Sequence, residues 1–162
     1  MLSENRTFGK MAFPSFSTTV SCLFAGAVCL LSGGQAMAGD GNIADSALPA
    51  EQKEFLPAFP GDDTITFATA YGDRNGHAHG TFGRFPANFE TPPHIHSHAY
   101  RAVVLSGEMT NPFAGEENPP VLKPGAYWSV AAGSVHTTAC VSDTPCEFFM
   151  YSDEGFDFKA SE

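Results

Sequence analysis

The amino-acid sequence predicts an all-β fold, a small barrel or sandwich of about seven or eight short strands. Runs rich in β-branched and aromatic residues end at turn-forming residues, as in TITFATAY before Gly72, AYRAVVLSG up to Gly107 and EFFMYS before Asp153. No long stretch has the 3.6-residue apolar period of an amphipathic helix. Fifteen phenylalanines in a chain of 162 residues supply large apolar side chains for the interior of such a fold.

The first 38 residues do not resemble part of a folded domain. Arg6 and Lys10 precede an apolar run from about Val20 to Leu31, and small residues follow at Ala36 and Ala38. This pattern is typical of a secretory signal peptide and predicts cleavage after Ala38, with a periplasmic or secreted product. The apolar run, about 12 residues, is short for a membrane span, so no membrane attachment is expected after cleavage.

The remaining chain, residues 39–162, is long enough for one domain with one core. Residues 39–63 are polar and contain Pro49, Pro57 and Pro60, which indicates an N-terminal arm ahead of a β-barrel domain over residues 64–162. The formal net charge of the chain is −10 at pH 7. With no basic cluster in the domain to bind a phosphate backbone, the composition argues against a nucleic-acid partner.

Three histidines, His94, His96 and His98, alternate along the stretch TPPHIHSHAYRAVVLSG. Alternate residues of a strand point to the same face, about 6.5 to 7 Å apart, so two imidazoles can reach one metal ion. A His-x-His pair alone is weak support for a metal site. Here His136 follows downstream, behind GAYWSVAAGSVH.

This arrangement resembles the two sequence motifs of the cupin superfamily. The first motif has Gly, His-x-His, Glu and Gly at fixed spacing, and its places are taken here by Asn88, His94, His96, Tyr100 and Gly107. The second has Gly, Pro-x-Gly, His and Asn, and its places are taken by Gly125, Ala131, Gly133, His136 and Cys140. The change from Gly to Asn88 is conservative for the backbone, because Asn also tolerates a left-handed conformation.

The resemblance implies a cupin-type jelly-roll β-barrel with His94, His96 and His136 as the ligands of one divalent metal ion per chain. Tyr100 stands where the family usually has a fourth, glutamate ligand. Three neutral imidazoles resemble the site of the Fe(II) cupin dioxygenases, among them β-diketone-cleaving enzymes, and leave positions open for an anionic or chelating small molecule. Fe(II) is therefore favoured, with Mn or Ni as alternatives, while Zn would imply lyase or hydrolase chemistry. Cupins of this type often form homodimers through edge strands.

Three further residues are candidates for catalytic roles beside the metal. Tyr100 is expected to point inward as a hydroxyl donor, since a phenolate ligand would require loss of a proton with a pKa of about 10. By strand parity His98 shares a face with His94 and His96, as a further ligand or as an acid or base. If instead one residue bulges after His96, Arg101 falls near the glutamate place and can bind a substrate carboxylate.

Cys140 and Cys146 flank VSDTP and are predicted to form a disulfide in an oxidising compartment, facing each other across a hairpin. The alternative is a free Cys140 near the site.

Of a second His-x-His pair, His77 and His79, we expect His79 to face the barrel. Phe82, Phe85, Phe148 and Phe149 are expected in the core, and Trp128 either in the core or in the wall of a pocket.

These patterns leave two functions open. One is a metal-dependent enzyme of oxygenase type acting on a small organic acid or diketone. The other is a non-catalytic module that binds or senses a small molecule or metal.

Overall fold

The structure, a computed structural model, describes residues 45–161, so the predicted signal peptide and the first residues of the arm lie outside it. Within this range the chain forms one turn of 3-10 helix, Ala50–Gln52, and eleven strands. The strands are β1 (Leu56–Phe59), β2 (Asp62–Gly72), β3 (His79–Phe85), β4 (Phe89–Glu90), β5 (His94–Ile95), β6 (Tyr100–Ser106), β7 (Met109–Thr110), β8 (Tyr127–Val130), β9 (Ala139–Cys140), β10 (Cys146–Ser152) and β11 (Lys159–Ala160). Between residues 45 and 161 there is no helix long and apolar enough to cross a membrane.

All strand pairs in this range are antiparallel. A six-stranded sheet has the order β1-β2-β3-β10-β6-β8, a three-stranded sheet the order β4-β9-β7, and β11 pairs with β5. The all-β prediction is confirmed. The period-2 pattern that predicted it is clearest in β10, where alternate residues from Cys146 to Ser152 are buried.

Strand pairing begins earlier than the arm boundary at residue 63 suggested. β1 pairs with β2 through Leu56↔Phe67 and Pro57↔Thr66, with an irregularity after Pro57. The prolines of this segment favoured an arm, but β1 lies at the edge of its sheet, where a residue without an N–H is tolerated.

The core contains some, but not all, of the phenylalanines expected there. Phe85 and Phe148 are buried and pack edge to face, with ring centroids 5.5 Å apart. Phe82 and Phe149 are only half-buried and pair with each other at 5.2 Å. The expectation of four core rings was therefore wrong for this pair, because neighbouring residues of a strand face opposite sides of the sheet. Trp128 is in the core, as predicted.

A disulfide joins Cys140 and Cys146, as predicted, but not across a hairpin. Cys140 ends β9 of the three-stranded sheet, and Cys146 begins β10 of the six-stranded sheet. The bond therefore links two sheets. Gly107, at the end of β6, lies against it: a Cβ at this position would be 2.6 Å from Cys146 Sγ, and its φ is +75°. Asn88 also has a positive φ, 54°, in agreement with its place in the first motif.

Candidate metal centre

His94, His96 and His136 meet at one point of the buried interior. His94 and His136 exchange two backbone hydrogen bonds of 2.9 and 3.1 Å, which place the two motifs side by side. The ring centroids are 4.2 Å apart for His94 and His136, 4.8 Å for His94 and His96, and 5.1 Å for His96 and His136. One ring nitrogen from each residue lies within 4.8 Å of the other two. The structure thus brings together the three residues predicted as metal ligands.

Backbone carbonyl groups fix the tautomer of each ring. The Nδ1 atom of His94 lies 2.9 Å from the carbonyl oxygen of Pro92, and Nδ1 of His136 lies 3.0 Å from that of Ser134. Nδ1 of His96 is hydrogen-bonded to the carbonyl oxygen of Asp157. A carbonyl oxygen only accepts, so each Nδ1 carries the proton and each Nε2 presents a lone pair.

The free nitrogens test whether this site fits a metal ion. Nε2 of His96 and Nε2 of His136 are buried and have no hydrogen-bond partner among residues 45–161. A buried polar atom without a partner is destabilising unless something else satisfies it. Burial lowers the pKa of His94 and of His96 to about 4 and also lowers that of His136. All three rings are therefore neutral at pH 7, the state in which imidazole binds a metal ion.

The C-terminal segment packs directly on two of the three histidines. The ring of Phe156 stacks on His96 and the ring of Phe158 stacks on His94, each with centroids 4.3 Å apart. Between them, Asp157 supplies the carbonyl oxygen that binds His96 Nδ1. Beyond them, β11 pairs with β5, the strand that holds His94. This contact could not be predicted from the sequence, because the segment carries no motif and is distant along the chain.

His98 does not lie with the other histidines. The strand ends at Ile95, and the chain bends at Ser97 and His98, so the parity argument fails after His96. The bend is held by the Asp157 carboxylate, which accepts hydrogen bonds from the Ser97 N–H at 2.7 Å and the Ser97 hydroxyl at 2.6 Å. His98 instead points to a surface groove, where its Nδ1 lies 2.8 Å from Glu154.

Arg101 and Tyr100 take opposite sides of β6. Arg101 is exposed and lies 3.6 Å from the Asp153 carboxylate, so the expectation that it binds a ligand near the metal is not met. Tyr100 is buried and points inward, with its ring 5.1 Å from that of His96. Its hydroxyl oxygen accepts a hydrogen bond of 3.1 Å from Trp128 Nε1, and burial raises its pKa to about 12. The hydroxyl group therefore keeps its proton at pH 7 when no metal ion is bound.

A cavity of about 150 Å³ lies beside His94 and His96. Its walls are mainly aromatic and include Tyr100, Trp128 and Phe156. His136 does not line this cavity, although its ring touches both histidines that do. Any small molecule in the cavity would thus contact an apolar wall on most sides and the histidines on one.

Two charged residues that the sequence did not single out also line the cavity, Arg74 and Asp157. Arg74 belongs to the turn GDRNG between β2 and β3. Basic residues are common in surface turns, so the sequence did not indicate a role for it. His79 is fully buried, as expected, and its Nδ1 lies 2.8 Å from the Thr81 hydroxyl. His77 is exposed.

A family model described as a domain of unknown function, DUF4437, matches residues 47–162. The chain belongs to the DUF4437 family. No curated protein matches the sequence. Among solved structures, this DUF4437 domain is similar to the polyketide cyclase RemF from Streptomyces resistomycificus, with a TM-score of 0.60 and 17% identity over 74% of this chain and 87% of that one.

Two further structures are similar to the DUF4437 domain. An RmlC-like cupin from Shewanella frigidimarina has a TM-score of 0.53 and 18% identity, over 68% of this chain and 92% of that one. KdgF from Halomonas sp. has a TM-score of 0.53 and 16% identity, over 67% of this chain and 94% of that one. Identities this low show the fold alone. They show that the DUF4437 domain has a cupin-type fold, and its three histidines form a group that can hold a metal ion.

Proposed function

We propose that this protein is an exported, mononuclear metal-dependent cupin enzyme of the Fe(II) oxygenase type, acting on a small organic acid or diketone. The observation that carries this proposal is the set of three buried imidazoles with their Nδ1 protons turned outward to carbonyl oxygens and their other nitrogens turned towards one another. Such a set fits a metal ion, which would satisfy the buried nitrogens that have no hydrogen-bond partner.

A divalent ion held there would supply Lewis-acid polarisation of a ligand oxygen and open coordination positions. The protein's own residues would do the rest. The aromatic wall would exclude water from the ligand's apolar part. The Tyr100 hydroxyl, which also interacts with Trp128 and Thr138, would lie beside the histidines as a proton donor. With three neutral ligands and no carboxylate, the site would keep a full positive charge of 2 and favour an anionic or chelating ligand.

Among the similar structures are a polyketide cyclase and DMSP lyases. Cupins of this shape therefore include enzymes that act on small organic molecules, which supports an enzymatic role here.

Export is supported by the signal-peptide pattern of the first 38 residues and by the disulfide, a bond that persists in oxidising compartments. Mass spectrometry of the protein from the periplasm should give a mature chain that begins at Gly39, and an uncleaved chain in the cytoplasm would contradict export.

The first test is elemental analysis of protein purified without added metal. We expect about one Fe, Mn, Ni or Zn per chain and its loss in His136→Ala, because two imidazoles bind far more weakly than three. The matched control is His98→Ala, whose ring lies in the surface groove with Glu154 and should leave the metal content unchanged. Full metal occupancy in His136→Ala would contradict the proposed ligand set.

The second test is oxygen uptake by the metal-loaded protein with a panel of diketones, thiols and carboxylates. Uptake with one class, lost in His136→Ala, is the expected result. Zinc as the native metal would point instead to a lyase or hydrolase, and metal without uptake of oxygen would favour the alternative of a binding or sensing module.

A further inference from the structure

Arg74 is held at the rim of the cavity by a fixed turn. The turn between β2 and β3 is closed by hydrogen bonds from the His77 and Asn75 N–H groups to Asp73, of 3.0 Å to its carbonyl and 2.9 Å to its carboxylate. The Arg74 carbonyl oxygen accepts a bond of 2.8 Å from the N–H of Phe156, the residue that stacks on His96. The position of Arg74 is therefore tied to the histidine site through the backbone.

The guanidinium group lies against aromatic carbon and has no carboxylate partner. Its central carbon is 4.8 Å from the centroid of the Phe67 ring, and both residues line the cavity. Among residues 45–161, Arg84 and Arg101 each form an ion pair, with Glu147 and Asp153, whereas no carboxylate lies within 4.0 Å of Arg74. Burial lowers the pKa of Arg74, which reports the cost of placing this charge away from water.

The acidic residue that lines the same cavity, Asp157, is already occupied. Its carboxylate accepts hydrogen bonds from the Ser97 N–H and hydroxyl and lies 3.2 Å from Lys159 Nζ. The charge of Asp73, the residue before Arg74, partly offsets the effect of burial on the Arg74 pKa. Its carboxylate accepts the N–H of Asn75 and makes no ion pair with Arg74 within 4.0 Å. The Arg74 guanidinium, a fork of N–H donors suited to carboxylate geometry, thus lines an aromatic cavity with no carboxylate in direct contact.

We propose that Arg74 is the recognition site for the carboxylate of this protein's ligand, a monocyclic or short-chain organic acid whose apolar body fills the aromatic cavity beside His94 and His96. The volume of about 150 Å³ sets the size, because an apolar cavity of about this volume accepts a benzene-sized molecule. The acid would neutralise the guanidinium at one end and extend towards the histidines. This inference deepens the proposed function, on which it rests for the histidine end of the ligand.

The test compares pairs of ligands that differ in charge and not in shape. Benzoate and phenylacetate, each with its neutral amide, are titrated into the full mature protein, and the fluorescence of Trp128, the single tryptophan of the chain and part of the cavity wall, reports occupancy. We expect at least one acid to bind about tenfold more tightly than its amide, the effect of a charge-assisted hydrogen bond. That preference should disappear in Arg74→Gln and be partly kept in Arg74→Lys, which retains the charge without the fork.

Arg101→Gln is the matched control, because it removes a guanidinium that is exposed and paired with Asp153. It should leave the preference for the acid intact. A series in which no acid binds better than its amide, or a preference that survives in Arg74→Gln, would overturn the inference.

Failure of the proposed function would look different. The titrations are run on metal-free protein as well as on metal-loaded protein. The preference for the acid over its amide, and its loss in Arg74→Gln, should be measured in both. A protein that binds no metal but prefers acids through Arg74 would refute the enzyme proposal alone.

Discussion

Asp157 contributes to the histidine site twice, by its backbone and by its side chain. Its carbonyl oxygen binds His96 Nδ1, while its carboxylate holds the bend at Ser97. Burial alone would raise the pKa of this carboxyl group, but the hydrogen bonds from Ser97 outweigh it and lower the pKa to about 2. The carboxylate thus stays charged, and the bend stays held, at any pH at which the protein is expected to work.

We expect Asp157→Ala to weaken metal binding about tenfold, the lower range for loss of a group that orients a ligand. The three histidines remain in this variant, but the segment that fixes His96 loses its attachment to Ser97. The measurement is metal affinity by competition with a chelator. Asp153→Ala, which removes an exposed carboxylate paired with Arg101, is the control and should bind metal normally. Equal affinity in both variants would show that the Asp157 carboxylate does not contribute to the position of His96.

We propose that Tyr100 occupies the place of the usual glutamate without taking over its role as ligand. Tyr100→Phe should therefore keep its full metal content. It should lose about 1 kcal/mol of stability, because the Trp128 N–H is left without its acceptor in a buried site. Metal content and chemical denaturation measure the two effects separately. Loss of the metal in this variant would mean that the hydroxyl group is a ligand after all.

At the scale of elements, one carboxylate connects the start of the described chain to the large sheet. Glu147 in β10 forms an ion pair with Lys53, which precedes β1. It forms a second ion pair with Arg84 in β3, at 2.8 Å. The side chains of Lys53 and Glu147 are only 11% and 13% exposed, so each would be costly to leave unpaired. Burial alone would raise the pKa of Glu147, but the hydrogen bonds from Lys53 and Arg84 lower it overall.

Glu147→Gln should lower the free energy of unfolding by about 2 kcal/mol at pH 7, as expected for breaking a mostly buried charged hydrogen bond. Because the folded pKa is depressed, this stabilisation is fully present above the pKa of the unfolded chain, about 4.3, and is lost as the pH falls through the folded value. The gap between wild type and variant in urea denaturation should close in acid. Glu108→Gln, which breaks an exposed pair with Lys123, is the control and should cost less than about 1 kcal/mol at any pH.

The sequence predicted the histidines and the strand class because both depend on local spacing. Strand parity placed His98 on the same face as His94 and His96, and this was wrong. The bend at Ser97 is held by Asp157, which is distant in sequence, so no local pattern predicts it. Pro57 favoured an arm instead of a strand for a similar reason. Its position in an edge strand depends on the order of strands in the whole sheet, which local sequence does not show. Arg74 and the two stacking phenylalanines became visible only when the turn and the C-terminal segment were brought to the same cavity.

At the scale of the molecule, the two larger sheets are joined covalently as well as by packing. Removing the disulfide in Cys140→Ser with Cys146→Ser should lower the free energy of unfolding by about 2 kcal/mol, the chain-entropy value for so short a loop. Thermal unfolding with and without reductant gives the same comparison in the wild type. The double variant should no longer respond to reductant, and a wild type that is equally stable when reduced would contradict this prediction.

The segment from Phe156 to Phe158 also has a consequence for the order in which the protein is made. During synthesis His94, His96 and His136 all emerge before it, yet His96 lacks its carbonyl partner, and two of the rings lack their stacking partners, until these residues have been added. A nascent chain would therefore carry three histidines that are not yet set to capture a metal ion. We therefore expect tight metal binding to require the packed C-terminal segment as well as the three histidines.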